Sequence, residues 1–172
     1  MPTTTPTPTH TENGEAFEPI TEDLHAYGED PDARVPESAA ELSEELGRLA
    51  GELHDVSLIL RRVSSHFEEK DLEEELGTIM AAERIADRCH TRLQEAADAL
   101  SNGHTEHVGW RMAEVGIPVG NAHSLLSDWM GGYPSDTAEN LAGTIFTPVW
   151  MLDYVEKRLA FLVNDCQLDF LD

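Results

Sequence analysis

Three polar residues fall where helical segments of this chain are otherwise apolar: Glu83 and His90, seven apart on one segment, and His123 on the next. A carboxylate and an imidazole on facing helices can share a buried hydrogen bond, pass a proton, or supply half of a metal site. Di-iron bundles need more, namely a Glu-x-x-His pair on each of two helices and further glutamates on the others. Residues 37–172 contain no Glu-x-x-His, and Glu52-Leu53-His54 has the wrong spacing. The set is therefore expected either to fix helix register, as polar residues on coiled-coil seams do, or to line a mid-bundle pocket with Pro118, Pro148 and Trp150. No metal ligand, cofactor or catalytic residue is assigned.

Other residues offer surface chemistry. His104 and His107, at i and i+3 beside a helix start, could take up a transition metal adventitiously, but solvated turn histidines are the simpler expectation. Arg84, Arg88 and Arg92 form a basic stripe at four-residue spacing, either an interaction surface or one side of ion pairs with Glu52 and Asp55 on the preceding helix. Trp110, Trp129 and Trp150 cluster in the second half with Tyr133 and Tyr154. Trp129 is expected in the core, whereas Trp110 and Trp150 fall off the strict seam and suit a widened core or an exposed patch. Acidic runs at residues 41–45 and 68–75 read as solvated faces. No Ser-His-Asp order, phosphate loop, Cys-x-x-Cys or zinc pattern is present.

With 34 acidic residues against 11 basic ones, the net charge is −23 and the isoelectric point about 4.4. Such a surface repels nucleic-acid phosphates and anionic membranes, so direct nucleic-acid binding is not expected. It suits solubility and a basic protein partner. Two isolated cysteines, Cys89 and Cys166, point to buried thiols in a reducing compartment rather than a disulfide framework. The first residues lack the apolar core of a signal peptide, and no apolar run is long enough to span a bilayer. A cytoplasmic location is expected.

The elements that must position these groups are legible in the heptads. Leu42, Leu46, Leu49, Leu53, Val56, Leu60, Val63 and Phe67 alternate spacings of four and three without a break. The same line recurs through Leu72–Leu100, Val108–Trp129 and Leu141–Cys166. Ser38 with Glu41, Asp71 with Glu74, and Asp136 with Glu139 supply helix starts. Ser101-Asn102-Gly103 and Gly131-Gly132-Tyr133-Pro134 supply stops. Helices are expected over residues 36–69, 71–100, 105–130 and 135–170. Pro118 and Pro148 lie inside the last two and predict kinks.

Four such segments joined by tight turns predict an all-α, antiparallel up-down four-helix bundle over residues 37–172. Residues 1–36, Thr- and Pro-rich and then acidic, are expected to form a disordered arm. Counting outward from the turns sets Glu83 level with Val56, Glu83 opposite His123, and the two prolines at one height. It sets the cysteines too far apart for a disulfide.

Three functions fit this reading. The leading one is a non-enzymatic bundle acting through protein–protein contact, as an adaptor or self-associating scaffold. The second is an acidic inhibitor or immunity-type protein that neutralises a basic nucleic-acid-acting partner. The third is a ligand- or metal-binding bundle with a mid-bundle polar pocket.

Overall fold

The seam leucines become the core of four helices. The computed structural model describes residues 34–68, 73–132 and 135–171, with side chains over 34–65, 76–131 and 144–171. Helix α1 is Ala39–Glu68, α2 Glu73–Ser101, α3 Val108–Gly132 and α4 Ser135–Asn164, followed by a single 3-10 turn at Asp169–Leu171. All regular structure among the described residues is helical. Every described apolar residue of the α1 heptad line is buried, from Leu42 to Val63. So are Ile79, Ala86, Leu93, Ala97 and Leu100 of α2, Val108 to Leu126 along α3, and Ile145, Leu152, Val155, Leu159 and Leu162 of α4. Each buried leucine or isoleucine contributes roughly 1.5–3 kcal/mol, and this accumulated burial is what stabilises the bundle. Phe67, Leu72 and Leu141 lie outside the described side chains.

Cross-helix contacts fix the topology. Ser43 and Arg61 of α1 meet Ala97 and Glu83 of α2, so residue numbers run in opposite directions. Arg92 meets Glu114 across α2 and α3, Gly116 and Gly120 of α3 lie against Leu159 and Glu156 of α4, and Glu45 and Arg48 of α1 meet Arg158 and Tyr154 of α4. Each helix thus packs on two neighbours, α4 returning to α1, in the antiparallel up-down order. The α1–α2 pair packs most extensively. Small residues permit it: Ala50, Ala82, Ala86, Ala96 and Ala97 are buried, and the buried Ser43 hydroxyl donates to the Ala97 carbonyl at 2.8 Å and lies 2.8 Å from the Ser101 hydroxyl.

The helix ends follow the local chemistry, with adjustments. Ser38 Oγ accepts from the Glu41 amide at 3.2 Å, while the Glu41 carboxylate reaches back to the Glu37 amide at 3.0 Å, one residue before the cap. The chain packs slightly before the expected boundary at residue 37, since Pro36 is buried and the Arg34 carbonyl is bound by Arg158. At the end of α2, Gly103 at φ +78° allows two closing bonds, from its own amide to Leu100 and from His104 to Ala99, both 2.9 Å. Helix α3 starts at Val108 rather than Thr105 because His107 adopts φ +67°, which no helix continues through; its carbonyl accepts the first helical bond, from Arg111 at 2.9 Å. Helix α4 stops at Asn164, short of residue 170, and the chain closes instead in the Asp169–Leu171 turn. The pairs Asp71–Glu74 and Asp136–Glu139 lie outside the described side chains.

Both prolines lie inside their helices, so Pro118 gives no hydrogen bond to the Glu114 carbonyl and Pro148 none to that of Thr144. They are not at one height. Gly116 lies against Leu159 and Gly120 against Glu156, which sets Pro118 level with the stretch between those two α4 residues. Pro148 is about ten residues away, or about 15 Å along the axis. Counting from the turn presumes straight helices, and Pro148 lies between the turn and these contacts. The other two registers hold: Arg92 faces Glu114, the Cys89 thiol lies 4.0 Å from the Val115 carbonyl, and His90 faces Ala50. Both cysteines are free thiols. No described helix is long and apolar enough to cross a membrane.

Candidate interaction face

The polar residues on the α2 seam turn to α1. Glu83 accepts from Arg61 through both Nε (3.2 Å) and a terminal nitrogen (2.8 Å), and this hydrogen bond and its charge raise the Arg61 pKa. The His90 Nδ1–H donates to the Ala50 carbonyl at 2.9 Å, and its ring lies 4.9 Å from that of His54. Both contacts bind α2 to α1, the register role that polar seam residues can play. His123 faces the opposite way, toward α4, with Nδ1 3.7 Å from Glu156. The expected pocket of Glu83, His90 and His123 is therefore not assembled. A helix has two flanks beside its seam, and α2 and α3 present these groups on flanks that meet different neighbours. Trp150 is exposed on the outside of α4, Pro148 is buried, and Pro118 is half-buried in a different groove, so these three do not line a common pocket with them either.

The arginine stripe faces α3. Arg84, Ile85, Arg88, Cys89 and Arg92 of α2 line a groove with Glu114 and Pro118 of α3, about 180 Å³ in volume. Arg92 pairs with Glu114 at 2.7 Å rather than with Glu52 or Asp55. Equal height along the bundle did not mean equal azimuth: the stripe lies on the flank of α2 away from α1. Arg84 and Arg88 are exposed and have no carboxylate partner among the described residues. At the floor of the groove, burial pushes the Cys89 thiol up to about 11 even though Arg92 and Arg88 pull it down. At neutral pH it is a packed, protonated thiol rather than a nucleophile.

Large apolar side chains continue this face onto α3. Trp110 and Ile117 lie four residues before and three after Glu114, on one side of the helix. They are 64% and 73% exposed, the most exposed large hydrophobic side chains described. Of the candidate surface, Arg84, Arg88 and Arg92 share the α2–α3 groove, and Trp110 stands exposed on α3 with Ile117 on the same side of the helix. Ile117 was missed because it sits beside Pro118, where the sequence predicts a kink. Its position seven residues after Trp110 was the available signal.

A second polar centre went unread. Arg158 of α4 is 4% exposed and forms an ion pair with Glu45 of α1, through Nε to Oε1 and through a terminal nitrogen to Oε2 at 3.0 Å. The same guanidinium donates to the Arg34 carbonyl at 2.6 Å and lies 5.1 Å from the Phe161 ring. Burial is the largest influence and opposes its charge, but the hydrogen bond to Glu45 and the charge of Glu45, with Tyr154 and Cys166 adding less, together raise the pKa. Arg34, Glu45 and Arg158 line a groove of about 390 Å³ between α1 and α4, with Glu41, Glu44, Arg48 and Tyr154. The pair closes the bundle where the chain enters it. It is structural, and its sequence signal was a charged residue beside a seam position on each helix. His104 and His107 are exposed in the α2–α3 connection, as expected.

No family model, curated protein or solved structure matches the chain.

Proposed function

We propose that this chain is a non-enzymatic adaptor that binds another protein through the α2–α3 face. The observation that carries the reading is a groove that holds two arginines without a carboxylate partner among the described residues, Arg84 and Arg88, and is bordered by a helix that exposes Trp110 and Ile117. Arginine and tryptophan are the residues in which interface energy concentrates, and an exposed apolar patch beside them favours burial. On a chain of net charge −23, arginines without a carboxylate partner among the described residues select a partner that presents carboxylates beside an apolar ridge. A helix carrying both on one side fits the shallow groove between α2 and α3. A cytoplasmic location agrees with the two free thiols.

The test is cross-linking in the native host followed by mapping of the linked peptides, in parent protein, Arg84→Glu/Arg88→Glu and Trp110→Ala. Links from a partner, or from a second copy of the chain, should map to residues 84–92 and 110–117 and disappear in both variants while circular dichroism is unchanged. Links that survive both variants overturn the reading. Links concentrated on the acidic outside of α1, at Glu41 and Glu44, would favour the inhibitor of a basic protein instead.

A further inference from the structure

On the opposite flank of α3, we propose a divalent transition-metal site formed by His123, Asp153 and Glu156. It is independent of the α2–α3 face. One ligand atom from each residue lies within 4.8 Å of the other two, and all three side chains are half-buried between α3 and α4. Asp153 and Glu156 are i and i+3 on α4, so both carboxylates leave one side of the helix. His123 reaches them from α3, its Nδ1 3.7 Å from Glu156 Oε2. Ligand atoms around an ion with bonds of about 2.0–2.2 Å are less than about 4.4 Å apart, so small side-chain rotations close the set.

The backbone leaves room for it. A Cβ at Gly120 would stand 2.5 Å from Glu156 Oε1 and 2.9 Å from its carboxyl carbon. The absence of a side chain at Gly120 is what lets the Glu156 carboxylate lie against α3 beside His123. One imidazole nitrogen and two carboxylates neutralise a divalent ion and leave positions for water, a mixed set that suits zinc, cobalt or manganese. The partly exposed flank gives an ion access. Lys157 opposes binding, because its ammonium holds Asp153 Oδ2 at 2.7 Å.

The experiment uses the full chain without a purification tag, titrated with Co²⁺ and followed by visible absorption, with Zn²⁺ competition by calorimetry. One equivalent of Co²⁺ should bind and be displaced by Zn²⁺. His123→Asn should weaken binding more than tenfold. Gly120→Ala, whose new methyl meets the carboxylate end of Glu156 first, should weaken it several-fold without changing the circular dichroism. Lys157→Met should tighten it several-fold. His104→Ala/His107→Ala should leave it unchanged. The proposal is overturned if no ion binds, if binding is indifferent to His123→Asn and Gly120→Ala, or if it is lost with the His104 and His107 pair.

Discussion

Replacing Arg158 by methionine removes a buried cation while keeping an unbranched side chain of similar reach. The losses include two hydrogen bonds to Glu45, one to the Arg34 carbonyl, and the stacking on Phe161. Breaking a fully buried pair costs about 3–5 kcal/mol, most of it from the charge left behind. Here the stranded carboxylate is not fully enclosed. Glu45 borders an open groove, and Arg48 stands 3.8 Å away as a second cation. Arg158→Met is therefore expected to cost about 2–3 kcal/mol and to lower the melting temperature by roughly 5–10 °C. Glu45→Gln, which keeps one acceptor, should cost about 1–2 kcal/mol, and the double variant less than the sum by about 1–2 kcal/mol. Urea unfolding of the parent and three variants measures all of this. Additive costs would show that the two side chains do not stabilise each other. A loss under about 0.5 kcal/mol for Arg158→Met would show that desolvation cancels the attraction.

Two further outcomes follow from backbone strain and burial. His107 at φ +67° sits where L-residues are disfavoured by about 1–2 kcal/mol, against an entropic cost of about 0.5–1 for glycine, so His107→Gly should stabilise by about 0.5–1 kcal/mol in urea unfolding; a loss would mean that the imidazole contributes contacts of its own. The Cys89 thiol has its pKa raised from 9.0 to about 11, so above pH 9 the unfolded chain gives up its proton while the folded chain keeps it, and stability should fall as pH rises from about 9 to about 11. Cys89→Ala should flatten that part of the pH–stability curve, and an unchanged slope would assign it to other groups.

The heptad lines made the core legible almost residue by residue, because burial on a straight helix depends only on angular position. Leu42 to Val63 and Val108 to Leu126 are buried as spaced. The positions beside the seams were harder. Whether Arg84 turns to α1 or to α3 depends on which flank meets which neighbour, and chain order alone does not set that azimuth. Height along the bundle was readable where turns are short and helices straight, as at Arg92 and Glu114, and failed between α3 and α4, where a proline intervenes. His107 escaped because histidine is compatible with a helix, and nothing in its type announces a left-handed backbone. Nothing in the residue type of Gly120 announces its place in the fold, where it makes room for a carboxylate.

The arginine face also has kinetic consequences, through the charge that surrounds it. An acidic partner far from the surface meets the field of a chain at −23 and is repelled. Only within roughly one Debye length, about 8 Å at physiological ionic strength, does it meet Arg84 and Arg88 themselves. Added salt shortens the long-range repulsion before it weakens the contact. For the acidic partner proposed above, encounter should therefore speed up with moderate salt while the lifetime of the complex shortens, so that affinity passes through a maximum. On the proposed reading, this face would suit brief, salt-tuned engagements more than permanent assembly.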